Sequence, residues 1–250
     1  MSGPRRSWSL VVTSEHGGND VPVAYRELFR GHEDDLGSHR GWDPGTLPLA
    51  RVLADRFDAP LVSATVTRLL VDLNRSPHNP RVFSFVTRHL PRSERTALLE
   101  RYHAPHWSSA RDRIARGIAR SSRLLHLGVH SFTPALDGAT RKADVALLYD
   151  PARPSERAFA AEWLRALRRE APELVLRRNN PYRGAADGLT TALRKENPER
   201  CYLGIELEVS QKHVGPDGRF PKSIVDALAR SLDRVLVAGS LDRAAQSTSA

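Results

Sequence analysis

The chain has 250 residues, 40% of them hydrophobic and 27% charged, which is the composition of an ordinary globular protein long enough to bury a sizeable core. Lys+Arg outnumber Asp+Glu by 38 to 29 for a net charge of +9, yet lysine occurs only at Lys142, Lys195, Lys212 and Lys222, and the arginines are spread along the chain beside acids, as in Asp112-Arg113 and Glu199-Arg200. That spread argues against a nucleic-acid surface, and the single cysteine, Cys201, excludes a disulfide framework and any thiolate zinc site, so a metal would need His and carboxylate ligands.

From the N-terminus, MSGPRRSWSLVVTSEHGG passes directly into a strand-like run without the apolar stretch of a secretory signal, and no segment reaches the roughly 18 apolar residues of a membrane span; the expected location is cytoplasmic. Strands are expected over 8–13, 59–64, 69–73, 125–130, 145–149, 175–176 and 202–209, and helices over 22–29, 44–57, 92–118, 155–170 and 221–237. Pro44, after Asp43, suits the first position of its helix, and Ser155 suits an N-cap. In 111–123 the arginines surround Ile114 and Ile118, four residues apart, so this is a solvated helix face. Several strands are apolar throughout (LVV, LLV, LGV, VALLY), as in a sheet covered on both faces. The expected fold is therefore α/β: a single domain over 1–240, with a mixed, largely parallel central sheet flanked by helices, and a disordered tail over 241–250.

Polar residues just after such strands are where an α/β sheet collects its chemistry. The first set is Ser14-Glu15-His16-Gly17-Gly18-Asn19-Asp20, whose glycines permit close backbone approach and whose imidazole suits a metal ligand, a general base or a capped turn. Asp43, in Gly41-Trp42-Asp43-Pro44-Gly45, reads equally as an N-cap or as a carboxylate ligand completing a two-His, one-carboxylate zinc set. Asp72, Asn74 and Arg75 end the run Arg68 to Arg75, and an arginine fork there suits bidentate capture of a carboxylate. His130 ends LHLGVH and forms with His16 a pair of strand-end histidines able to share one ion. Finally, strand alternation puts Glu206 and Glu208 on one face, where two carboxylates are costly to bury unless they border a cleft; this suggests an acid/base group near the metal.

Taken together, SEHGGN at 14–19, HRGWDPG at 39–45, VDLNR at 71–75, HS at 130–131, NPYRG at 180–184 and GIELE at 204–208 make the chain resemble the N-formylglutamate amidohydrolase family and, more distantly, the zinc carboxypeptidases and succinylglutamate desuccinylases. The resemblance implies a zinc-carboxypeptidase-like α/β hydrolase with one catalytic zinc, His16 and His130 as ligands, Glu206 as general base and acid, and Asn74 with Arg75 binding the substrate's carboxylate. The carboxypeptidase pattern has Glu three residues after the first histidine, where this chain has Asn19. Asp43 is then the expected third ligand, with Glu15 and Asp20 as alternatives, and Glu208 is the alternative base. Arg141 and Arg183 flank family-like loops as further substrate contacts. The implied substrate is a small acidic N-acyl amino acid, N-formyl-L-glutamate first. The alternatives are a zinc carboxypeptidase or deacylase with another acyl or peptide substrate, and a basic nucleic-acid-binding protein on an inactive hydrolase fold.

Overall fold

The apolar runs become strands of one sheet in the computed structural model, which describes residues 6–247. The first half comprises β1 (Arg6–Ser14), α1 (Glu33–Gly37), α2 (Thr46–Arg56), β2 (Leu61–Ser63), α3 (Arg92–Leu98) and α4 (Ala104–Arg120). It is followed by β3 (Ser121–Phe132), a small hairpin of β4 (Ala135–Leu136) and β5 (Ala139–Thr140), β6 (Val145–Leu148), α5 (Pro154–Glu170), β7 (Leu176–Arg178), α6 (Leu189–Glu196), β8 (Tyr202–Ser210) and α7 (Lys222–Ser247). The sheet order is β2-β1-β3-β8-β6-β7, with every pairing parallel except β8 with β6. This is the mixed, largely parallel sheet expected. No helix among the described residues is long and apolar enough to cross a membrane.

Register separates the two faces. Leu10 and Val12 of β1, Leu125, Leu127 and Val129 of β3, and Leu203, Ile205, Leu207 and Val209 of β8 point to one side, where α2, α5 and α7 cover them with Leu49, Leu53, Trp163, Leu167, Leu228 and Leu232. Burying a Leu or Phe side chain contributes about 1.5–3 kcal/mol, so this layer dominates the stability of the fold. The opposite face is apolar only at its lower end, where Val11, Leu124 and Tyr202 meet Trp107, Ala110 and Ile114 of α4 and Leu189 and Leu193 of α6. Toward the C-terminal ends of the strands the same face turns polar: Gly128 lies beside Glu206, and His130 beside Glu208.

Several expected elements differ, beginning with the helix expected over 22–29, which is a 3-10 helix over Val23–Phe29. Residues 69–73 are not a strand: Leu69, Leu70, Val71 and Leu73 pack in a separate cluster with Phe29, Val82 and Leu98, and side chains take up the backbone, Ser84 and Thr87 donating to the carbonyls of Leu69 and Leu70 and Trp107 Nε1 to that of Leu73. The long helix expected over 92–118 is interrupted by a π-turn at Leu99–His103, because Pro105 cannot donate to the turn before it. The N-cap of α5 is Arg153, with Pro154 as first residue, and no side chain bonds there; Ser155 is already helical. At the other end of the chain α7 runs past 237 to Ser247, since Ala244, Ala245 and Gln246 favour helix and no Pro stops it. The tail expected over 241–250 is thus helical over 241–247, and 248–250 lie outside the described residues.

Candidate metal centre

The C-terminal ends of β1 and β3 and the loop before α2 bring His16, Asp43 and His130 together, all buried, each with a ligand atom within 4.8 Å of the others'. Asp43 is the hinge of the group. The N-cap of α2 is Gly45 in the left-handed region, so the Asp43 side chain is free of capping and turns inward: Oδ2 lies 3.1 Å from His130 Nδ1 and 3.4 Å from His16 Nδ1, and Oδ1 accepts from Arg68 at 3.1 Å. Both imidazoles therefore turn Nδ1 to the same point. Their other nitrogens face carboxylates, His16 Nε2 at 2.7 Å from Asp72 Oδ1 and His130 Nε2 at 3.1 Å from Glu15 Oε2. Arg68 bridges the acids, donating its second nitrogen to Asp72 Oδ2 at 3.1 Å.

Two nitrogens and one carboxylate oxygen, with a carboxylate behind each imidazole, form a donor set able to hold a metal ion. A second observation supports the fit: His16 Nδ1 is buried without a hydrogen-bond partner. Burial alone would raise the pKa of Asp43, but the His16 imidazole beside it, the hydrogen bond from His130, and Arg68 hold it well below the usual carboxylate range. Burial likewise opposes ionisation of Glu15 and is outweighed by His106 and His130, which keep that carboxyl well below its ordinary value. His130 moves the other way. Its burial disfavours charge, yet Asp43 and Glu15 raise its pKa well above 6.5, so metal binding there must displace a proton.

The alternative ligands lie elsewhere. Glu15 is directed to Nε2 of His130 and of His106, behind the ring, and Asp20 is exposed beside β2. Gly17 and Gly18 serve the chain: Gly17 N donates to the Ala64 carbonyl, and a Cβ on Gly18 would sit 2.8 Å from the Thr65 carbonyl oxygen. Glu206 is half-buried over Gly128, where an added Cβ would lie 3.4 Å from Glu206 Cγ and 3.5 Å from His130 Nε2. Glu208 is buried, Oε2 has no partner, and burial together with the Asp43 and Glu206 charges pushes its pKa up to about 8. Asn74 is held between two contacts, Oδ1 accepting from Leu189 N at 3.0 Å and Nδ2 lying 3.4 Å from His130 Nε2. Arg75 donates to the Asp187 carbonyl at 2.7 Å and flanks Asp72 at 4.0 Å. Arg141 lies over the Tyr182 ring at 4.9 Å and donates to its hydroxyl; Arg183 is exposed, and no bond among the described residues ties it to the cluster. Asp72, Arg68, Glu15 as a partner of His130, and His106 are members that strand-end reasoning missed. Asp72 stood in the VDLNR motif, whereas nothing near His106 in sequence points to Glu15.

The family model described as N-formylglutamate amidohydrolase matches residues 8–214. Among solved structures, a gene product from Agrobacterium tumefaciens is similar with 26% identity and a TM-score of 0.75 over 92% of this chain and 91% of that one. An N-formylglutamate amidohydrolase from Ralstonia eutropha is similar in fold, at 19% identity and a TM-score of 0.67 over 94% of this chain and 93% of that one. No curated protein sequence matches the chain.

Proposed function

The chain belongs to the N-formylglutamate amidohydrolase family, a family of amide-bond hydrolases, and from that premise we propose that it is a zinc-dependent enzyme cleaving N-formyl-L-glutamate to formate and L-glutamate. The observation that carries this reading is the convergence of His16, Asp43 and His130, with Asp72 and Glu15 on the far nitrogens. These three residues hold the ion, which when bound lowers the pKa of a water to about 7 and polarises a carbonyl. Glu206 is the proton carrier. It shares the sheet face of His130 and is less buried than Glu208, so water and substrate reach it; it accepts the proton of the attacking water and delivers it to the leaving amine. Glu208, whose carboxyl holds its proton up to about pH 8, is a poor base at neutral pH.

Asn74 and Arg75 bind the α-carboxylate of the substrate, and Arg141 and Arg183 add positive charge toward the side-chain carboxylate. His39 lies in the same field, its pKa lowered by burial and by Arg40, Arg141 and Arg68, which marks the entrance as cationic. The test is a panel of formyl-, acetyl- and succinyl-glutamate assayed for released amine, with zinc and with chelator. Formate release from N-formyl-L-glutamate, abolished by chelator and restored by zinc, is the expected result. Hydrolysis indifferent to chelator, or none of any acyl-glutamate with zinc present, would sink the reading.

A further inference from the structure

Behind the metal centre lies a buried ionic chain that the reaction above does not use. Glu15, 2% exposed, places Oε2 3.1 Å from His130 Nε2 and Oε1 3.6 Å from Nε2 of His106, which is 7% exposed on α4. Among the described residues, Glu15 Oε1 and His106 Nε2 are both sealed from solvent and have no hydrogen-bond partner, and they face each other at 3.6 Å. Burying an ionised carboxylate at this depth is costly unless it is paired. We propose that Glu15 and His106 are positioning residues for the metal centre: Glu15 holds a proton on His130 Nε2, which leaves the Nδ1 lone pair for the ion, and His106 holds Glu15 in that orientation.

The groups around the His130 ring decide which of its nitrogens carries the proton. Its Nε2 faces two groups, the Glu15 carboxylate at 3.1 Å and the Asn74 Nδ2 at 3.4 Å. The Asn74 amide is oriented by Leu189 N on its Oδ1, so the group it presents to His130 is a donor. A carboxylate only accepts, and its charge-assisted bond is the shorter and stronger of the two, so Nε2 keeps its proton. Asp72 acts on His16 Nε2 in the same sense at 2.7 Å. The two imidazoles are thereby locked by acids from different segments, and the acid of His130 is backed by His106. His106 also borders a groove of about 690 Å³ beside β2, so a shorter side chain there opens to solvent and leaves no sealed void.

This inference rests on the proposed metal site, and the experiment separates the two. Zinc affinity of the full chain is measured by chelator competition for the parent, Glu15→Ala, Glu15→Gln, His106→Leu and His130→Ala, and the protonated ring nitrogen of His130 is read from long-range ¹⁵N–¹H spectra of the zinc-loaded parent. Glu15→Ala is expected to weaken zinc binding about 10- to 100-fold, Glu15→Gln less because it keeps an acceptor, and His106→Leu less than Glu15→Ala, with His130 of the parent protonated at Nε2. Parent-like zinc binding by Glu15→Ala while His130→Ala loses the ion would overturn the positioning role alone. So would a parent spectrum with Nε2 unprotonated, a measurement that stands even if Glu15→Ala does not fold. Parent-like binding by His130→Ala would overturn the metal site and this inference with it.

Discussion

Glu206 and Glu208 lie two residues apart on one face of β8, yet their surroundings divide the labour between them. Glu206→Gln should retain zinc and lose about 10²–10⁴-fold in kcat, the usual share of a general base. Glu208→Gln resembles the protonated acid that the wild type already carries at neutral pH and should keep turnover within about tenfold; steady-state assays at pH 7 with zinc quantified in each variant check both, and the reverse ranking would move the base to Glu208. Arg75 is anchored on the Asp187 carbonyl and faces Asp72, so it is preorganised rather than free. Arg75→Ala should raise KM for acyl-glutamate by about tenfold or more with a smaller effect on kcat, and an unchanged KM would refute its assignment. At this scale the sequence was informative where chemistry follows a strand directly. His16 and His130 were legible because each sits just past an apolar run, and Asp43 because it lies before a helix. The partners that orient them were not, because Asp72 reaches His16 from 56 residues away through a loop whose course no local pattern encodes.

The elements β1, β3 and β8 were legible for the same reason that they position the centre: continuous apolar runs make central parallel strands, and their ends set His16, His130 and the two glutamates at one level. The run 69–73 was misread because its apolar residues serve a local cluster, and a short buried loop with side-chain hydrogen bonds has the same pattern as a strand. α6 gave no signal of its own, since its eight residues are too short for a clear period. Its importance lies in Arg194, which donates Nε to Glu156 of α5 at 3.0 Å, Nη2 to the Gly204 carbonyl of β8 at 2.7 Å, and Nη1 to the Gly184 carbonyl in the loop that carries Tyr182. Glu156 in turn accepts from Gly204 N at 3.0 Å and is fully buried. Arg194→Ala should therefore destabilise the protein by about 3–5 kcal/mol, because it leaves the buried Glu156 carboxylate, as an ion pair, only the longer contact with Arg153 Nε at 3.7 Å. Arg194→Lys should restore only part of that, because an ammonium lacks the fork that reaches three acceptors. Urea denaturation of the three proteins measures this, and a loss below about 1 kcal/mol for Arg194→Ala would show that the pair does not staple these elements.

For the whole molecule the polar face imposes a pH dependence on stability that its apolar counterpart lacks. His126 is fully buried between Thr13 Oγ1 at 3.0 Å and the Tyr202 hydroxyl at 2.7 Å, and burial lowers its pKa to about 4. The unfolded chain takes up this proton near pH 6.5, so as pH falls the unfolded state gains protons that the folded state refuses. Stability is therefore full above about 6.5, declines as pH falls toward 4, and levels off for this group below that. His39 and His103, whose pKa values burial also lowers, act in the same direction. The buried carboxyls of Glu15, Asp43 and Asp72, held low by their cationic neighbours, add their losses only below the ordinary carboxylate range. His130 has the opposite sign: its raised pKa contributes stability that is complete below 6.5 and is lost as pH rises. Glu208, whose carboxyl is pushed up to about 8, also has the opposite sign between about 8 and 4.5, so the buried neutral histidines are isolated between 6.5 and 4.5 only once that carboxyl is removed, as in Glu208→Gln. In a Glu208→Gln background, urea melts of chelator-treated protein at pH 7 and pH 5 should show lower stability at pH 5, and adding His126→Asn, which keeps a polar side chain without a titrating proton, should narrow that difference. In that background, equal stability at the two pH values, or a difference unaltered by His126→Asn, would mean that His126 is hydrated enough to titrate normally and that this end of the polar face is open to water.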